Sequence, residues 1–410
     1  MEMENMQNQP SSPPAKKGGA GVWFLILVLV VAGLIYWNQQ KGGEEQVVPT
    51  NSEAKIKIPN DVLKLGVIMP LSGDAAIYGD NELKGVQIAV SEINAAGGVD
   101  GAQIELVVED GKCNPEGGAA AGNKLVNVDM VKFIIGGACS GETLGFTTLT
   151  GENQVLSISP SATSPAITDA GAYVFRTAPS DALAGSIAAN YAFTDLGAKT
   201  AAIIYETTDY AQGLEKTFKD TFTALGGEVV IDEGFATGDK DFTAQVLKTK
   251  NKMPDVVYVV PQSPATGILV IKQLKSTNVT SALLTAEVLA SDTVLADNEV
   301  FLDGLTAIEP FYDQTAAKAA AFLASYKAEN ADPEFPFFTA SAYSDVYLLA
   351  EAIEAVGYDT TKVAAYLTGL KNWSGALGTI SFDANGDVLT SYAIKKADGG
   401  VYDQVKVVTP

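Results

Sequence analysis

From Leu63 onward the chain alternates short apolar runs rich in Val and Ile with longer stretches at helical spacing. The runs are KLGVIM, IELVVED, KFIIGG, VLSISP, TAAIIYE, EVVIDEG, DVVYVVP, ALLTAE and LTAIEP. Strands this continuously apolar have no face to give to water, so the sheets they form are covered on both sides by the intervening helices. In Asn81 to Ala96, residues Leu83, Val86, Val90 and Ile93 recur at helical spacing with Ala89 beside them, which makes one stripe for packing on a sheet. Tyr210 to Leu225 reads as a second such helix. The pattern predicts an α/β protein built on parallel sheets.

In open α/β sheets ligands bind outside the carboxyl ends of the strands, so the residues that follow each strand are the candidates for a site. KLGVIM is followed by Ser72, Gly73 and Tyr78, and FIIGG by Ala138, Cys139, Ser140 and Gly141. VLSIS leads into Pro160, Ser161, Ala162 and Thr163, and TAAIIY into Glu206, Thr207, Thr208, Asp209 and Tyr210. VVYVV ends at Pro261, Gln262 and Ser263, and ALLTA at Glu287. Ser140 and Thr163 precede helical turns, where hydroxyls and free backbone N–H groups converge on an anion. The alternative for each is plain N-capping. Glu287 is either an exposed helix cap or the partner of a ligand cation. Two hydroxyl turns facing one carboxylate suit a zwitterion such as an amino acid.

Composition narrows the chemistry. The 410 residues suit two domains with an N-terminal appendage. There is no histidine, which removes Ser-His-Asp and Cys-His catalysis and the usual zinc sites, so no metal or cofactor is expected. A formal charge of −22 with a single arginine, Arg176, excludes nucleic acid as a partner. An enzyme is disfavoured because no nucleophile–base pair stands at the strand ends.

Residues 1–20 are polar, with Lys16 and Lys17 near their end, and 21–37 are the uncharged run GVWFLILVLVVAGLIYW. At ~1.5 Å per residue this run barely reaches across a ~30 Å hydrocarbon core. Trp23, Tyr36 and Trp37 fit the interfacial belts, and the preceding lysines place the N-terminus in the cytoplasm. The expectation is one transmembrane anchor after a short cytoplasmic tail, a flexible tether over 38–60, and everything beyond outside the cell membrane. The alternative, a cleaved signal peptide, lacks a small-residue cleavage site after Trp37. Outside the cytoplasm the only two cysteines, Cys113 and Cys139, favour a bond, the alternative being two separate buried thiols.

Several segments together resemble the periplasmic solute-binding proteins for branched-chain amino acids that serve ABC importers. They are KLGVIMPLSGDAAIYGDNELKGVQIAVSEINAAGGVDG, EDGKCNP, GGACSGET, ISPSATSP, FRTAPSD and TGDKDFTAQV, in family order from about Leu63 to Val408. The resemblance implies the type I periplasmic-binding fold, two doubly wound lobes joined by three hinge crossovers. Lobe 1 would comprise 61–181 and 312–388, and lobe 2 182–311 and 389–410. It also implies a Cys113–Cys139 disulfide. Ser140 and Thr163 would bind a ligand carboxylate with backbone help around Ala162. The Ser161 carbonyl and Glu287 would bind the ammonium, and Tyr78, Tyr210 and Phe338 would wall the side-chain pocket, although Phe338 suits the core equally well. One departure stands out: Gln262 lies where branched-chain binders often carry an aromatic, which admits a smaller, polar or amide ligand. The implied role is a membrane-tethered receptor that delivers an amino acid to ABC permease subunits. The alternative is a ligand sensor acting through a membrane signalling partner, for which the cytoplasmic tail is too short to signal alone.

Overall fold

A computed structural model describes residues 55–409. The expected cytoplasmic tail, the transmembrane segment 21–37 and most of the tether lie outside the described residues. Among the described residues no helix is long and apolar enough to cross a membrane.

The first sheet contains β1 (Val62–Met69), β2 (Gln103–Asp110), β3 (Phe133–Gly136), β4 (Leu156–Ser159) and β5 (Val174–Arg176). Its order is β2-β1-β3-β4-β5 and every pair is parallel. Helices α1 (Ala76–Ala95), α2 (Pro115–Asn127) and α3 (Ser140–Glu152) follow β1, β2 and β3. Successive residues of a strand point to opposite faces. Leu65, Val67 and Met69 therefore join the core under α1, while Ile68 joins Leu125 and Phe146 of α2 and α3 on the other side.

After α4 (Asp181–Asn190) the second sheet begins with β6 (Thr200–Glu206), α5 (Asp209–Ala224), β7 (Glu228–Phe235), α6 (Thr243–Lys252), β8 (Val256–Val260), α7 (Pro264–Ser276) and β9 (Ala282–Ala286). Short helices α8 (Asp292–Asp297) and α9 (Glu299–Leu302) lead to β10 (Thr306–Pro310). The chain then returns to the first sheet with α10 (Ala317–Glu329), α11 (Pro336–Val356), α12 (Thr360–Gly369) and the small hairpin β11 (Trp373–Gly375) and β12 (Gly378–Ile380). It ends on the second sheet with β13 (Tyr392–Asp398) and β14 (Val401–Val408). The second sheet has the order β14-β13-β10-β9-β8-β6-β7. Ala201 and Ile203 face the core under α4 and α5, and Ala202 and Ile204 the core under α6 and α7.

The parallel α/β expectation holds for both large sheets except at one edge of the second, where β13 is antiparallel to β10 and β14 to β13; the separate β11–β12 hairpin is antiparallel as well. No crossover helix separates β13 from β14. Gly399 and Gly400, both at positive φ (57° and 81°), make the two-residue turn that closes them as a hairpin.

The chain passes between the sheets three times, after β5, after β10 and before β13. Arg176 ends β5 at the first passage and is fully buried. Its Nε and Nη2 donate to the two carboxylate oxygens of Asp387, at 2.7 and 2.8 Å, in the third passage. Nη1 donates to the carbonyls of Ser164 (2.8 Å) and Ala162 (3.3 Å), and Nη2 also to Thr168 Oγ1 (2.7 Å). A buried bidentate pair of this kind is costly to break because the remaining charge is stranded. Asp387→Ala is therefore expected to lower the unfolding free energy by about 3–5 kcal/mol, read by urea denaturation. A change below ~1 kcal/mol would contradict this account of the pair.

Candidate functional site

The carboxyl ends of the strands of both sheets meet at a small, buried cavity. Its wall is Tyr78, Ala138, Cys139, Ser140, Ser161, Tyr210, Gln262, Glu287, Val288 and Phe338, around about 360 Å³ of space partly open to solvent. Seven of the nine expected ligand-binding residues line it. The two that do not are Ala162 and Thr163, which sit behind the wall.

Two turns of the first sheet form one side. The turn after β3 carries Cys139 as N-cap of α3 and Ser140 as its first residue. Ser140 does not cap the helix; its Oγ accepts the N–H of Ser164 from the neighbouring turn at 3.1 Å. The O–H of Ser140 is thereby left to donate into the cavity, beside the free N–H groups of the first turn of α3. Further bonds join the two turns. Ser159 Oγ donates to the Gly137 carbonyl (2.6 Å) and Ser161 Oγ to the Ala138 carbonyl (2.9 Å). The Ser161 carbonyl accepts no bond from any described residue. Both backbone groups of Ala162 are occupied, its N–H by Ser159 Oγ and its carbonyl by Arg176. The Thr163 hydroxyl is buried beside the Asp181 carboxyl, with no well-formed hydrogen bond among the described residues.

Cys113 and Cys139 are disulfide-bonded with Cα atoms 5.1 Å apart, as the resemblance implied, so the separate-thiol alternative falls. The bond joins the turn after β2 to the turn that presents Ser140. Glu142, on the first turn of α3, joins the same two turns by accepting from Cys113 N (2.8 Å) and Ala138 N (3.0 Å).

The second sheet supplies the opposite side. Glu287 follows β9, opens a short 3₁₀ turn and is buried, so it is no exposed cap. Burial pushes its carboxyl up to about 7, against the pull of its own backbone N–H and the Tyr210 hydroxyl. It is the only charged residue of the wall. Tyr210, on the first turn of α5, is 4 % exposed, and its hydroxyl lies close to the Glu287 carboxylate without a well-formed hydrogen bond among the described residues. Tyr78, on α1, donates to the Gln262 carbonyl across the cleft at 3.4 Å. The Gln262 N–H donates to Glu206 Oε2 (2.8 Å), and Glu206 Oε1 accepts from Thr237 (2.6 Å), which fixes this turn. Phe338 combines both expected roles: it lines the cavity and packs in an apolar cluster with Phe335, Phe337 and Ala178.

Sequence reasoning passed over Asp181. It is the first residue of α4, is 1 % exposed, and leaves Oδ2 unpartnered among the described residues. Burial, then the Glu287 charge, raises its carboxyl well above the carboxylate range, while the Thr163 hydroxyl and Arg176 pull it down. A serine followed by aspartate before a helix reads as ordinary capping, and Ser180 does cap α4. The available signal was the polarity of Asp181 at the head of an otherwise small and apolar helix, DALAGSIAAN.

A carboxyl whose folded pKa lies above its unfolded value binds protons more tightly in the folded state. Its contribution to stability is full below the unfolded value and is lost as pH rises through the folded one. For Glu287 that window runs from about 4.5 to about 7. Glu287→Gln removes the penalty and should raise the unfolding free energy at pH 8 by up to a few kcal/mol while gaining little at pH 4. Urea unfolding at the two pH values checks this, and a variant weaker than wild type at pH 8 would contradict it.

Comparisons with known proteins bear on the family and the fold. The periplasmic binding protein family model matches residues 62–400. A leucine-, isoleucine-, valine-, threonine- and alanine-binding protein of Pseudomonas aeruginosa is 33% identical over 358 residues, covering 87% of this chain and 93% of that protein. The solved structure of a leucine-binding protein from Thermotoga maritima superposes with a TM-score of 0.78 at 28% identity, over 85% of this chain and 99% of that one. A branched-chain amino acid transporter substrate-binding protein from Streptococcus pneumoniae, in complex with isoleucine, gives 0.76 at 31% identity, over 85% and 100%. These relatives are solute-binding proteins and not enzymes. The chain belongs to the periplasmic binding protein family and has its two-sheet α/β fold.

Proposed function

We propose that this protein captures a small neutral amino acid in the cleft between its sheets and hands it to the permease of an ABC importer. The observation that carries the reading is the composition of the cavity wall: one buried carboxylate, Glu287, with no cation in the wall to balance it, opposite a helix N-terminus whose Ser140 hydroxyl accepts from Ser164 and keeps its O–H to donate. A buried charge without a partner is expensive, and a ligand ammonium on Glu287 supplies the missing one. The ligand carboxylate then falls to Ser140 and the first N–H groups of α3, with the Thr163 hydroxyl behind them. The Ser161 carbonyl takes a second ammonium proton. Tyr78, Tyr210, Gln262 and Phe338 enclose the side chain.

The ligand class is supported by the Pseudomonas aeruginosa relative, named for leucine, isoleucine, valine, threonine and alanine, and by the Streptococcus pneumoniae structure, which holds isoleucine. Gln262 places an amide-bearing residue in the wall, so the ligand side chain is small or polar. The two sheets act as lobes, 61–181 with 312–388 and 182–311 with 389–410, that close on the ligand about the three passages of the chain. The Tyr78–Gln262 bond is one contact of the closed form. The apolar run at 21–37 anchors the protein in the cell membrane with the binding lobes outside, which keeps captured solute near the permease.

The test is calorimetric titration of the purified full-length chain with alanine, threonine, glutamine, asparagine, valine, leucine and isoleucine. Saturable 1:1 binding of at least one is expected. Glu287→Gln should weaken it by at least about thirtyfold, the cost of removing one partner of a buried charge pair. Ser140→Ala should weaken it by about tenfold or more. Affinity should also fall as pH drops below about 7, where Glu287 becomes protonated. No binding across the panel, or binding that both substitutions leave intact, would refute the assignment.

A further inference from the structure

Glu142 is the most elaborately housed side chain near the cavity, yet it does not line it. It is fully buried. Three glycines leave room for it. A Cβ on Gly111 would stand 2.4 Å from its Cδ, one on Gly137 2.7 Å from its Oε1, and one on Gly118 2.0 Å from its carbonyl oxygen. Each carboxylate oxygen takes one backbone N–H, Oε2 that of Cys113 and Oε1 that of Ala138. The Gly137–Ala138 peptide held in this way offers the Gly137 carbonyl to Ser159 Oγ at 2.6 Å, and the next carbonyl, that of Ala138, accepts from Ser161 Oγ at 2.9 Å. Glu142 thus ties three turns together: the one after β2, the one that opens α3 at Ser140, and the one that carries Ser161.

The disulfide joins two of the same turns, but the two ties differ in physical effect. A disulfide acts mainly by restricting the unfolded chain, here by closing a loop with a sequence separation of 26. The Glu142 bonds exist only in the folded state and fix the orientation of particular peptide planes.

We propose that Glu142, rather than the Cys113–Cys139 disulfide, sets the position of the α3 N-terminus that receives the ligand carboxylate. Glu142 is a positioning residue, and the inference rests on the amino-acid reading given above. A glutamine at 142 keeps the shape but turns an NH₂ towards one of the two N–H donors, leaving that donor buried and unpaired.

The test titrates the full-length chain with L-alanine, L-threonine and L-leucine and with the amide of each. It compares wild type, oxidised and phosphine-reduced, with Glu142→Gln and Glu142→Asp. Reduction is expected to lower the thermal midpoint while Kd for the amino acid stays within about twofold. Glu142→Gln is expected to raise that Kd about tenfold and to narrow the preference for acid over amide. A general loosening of the fold would weaken acid and amide alike. The inference is overturned if reduction weakens binding tenfold, if both Glu142 variants bind as wild type, or if acid and amide lose equally. Should Glu142→Gln fail to fold, reduced wild type and Glu142→Asp still decide. Oxidised wild type that binds none of the amino acids refutes the amino-acid reading itself, whereas binding with any of the overturning patterns refutes only the role of Glu142.

Discussion

Everything at the cleft hangs on the single arginine of the chain. Arg176 ends the last strand of the first sheet, and its guanidinium is entirely buried. It holds the carbonyls of Ala162 and Ser164 on one side and the carboxylate of Asp387 on the other. The turn that faces the cavity is thereby fixed to one of the passages between the sheets. A lysine would carry the charge but not the planar fork that makes these bonds together. Thr168 closes the arrangement by donating to Asp387 while accepting from Arg176. One passage between the sheets and the geometry of the Ser161 turn meet in one saturated ion pair.

Around this clamp the protein buries acids. Glu82, Glu142, Asp181, Glu287 and Asp345 are all buried, and in each case burial is the largest influence raising the carboxyl. They are satisfied unequally. Glu142 uses both oxygens on backbone N–H groups, and Asp345 accepts from Thr177 at 2.7 Å. Among the described residues Glu82 leaves both oxygens unpartnered and Asp181 and Asp345 one each, while Glu287 faces the cavity. In the proposed complex a ligand cation beside Glu287 stabilises the ionised form that burial disfavours. In that proposal ligand binding and the titration of Glu287 are linked.

The layered α/β plan was legible because buried parallel strands leave an unmistakable apolar pattern, and reading the strand ends located Ser140, Ser161, Gln262 and Glu287. Tyr78 fell in a loop by that reading, since the apolar stripe begins at Leu83, yet α1 starts at Ala76 and Tyr78 lies on its first turn. The short edge strand β5 and the hairpin of β13 and β14 escaped notice. Only three residues mark β5, and β14 is largely exposed, so neither shows a sustained apolar run. Ala162 and Thr163 illustrate another limit: proximity in sequence to a site does not say which backbone groups are already taken. The Arg176 clamp and the Asp181 carboxyl depend on contacts across more than one turn of the chain, which no local pattern carries.

The central claim is that the cleft recognises both charges of a zwitterion at once. The most direct measurement is calorimetric titration of the wild-type chain with its best-bound amino acid, the amide that lacks the carboxylate, and the deaminated acid that lacks the ammonium. Tight binding of the amino acid and a loss of at least about thirtyfold for each derivative is the predicted result. A deaminated acid that binds as tightly as the amino acid would leave Glu287 without a role and contradict the account.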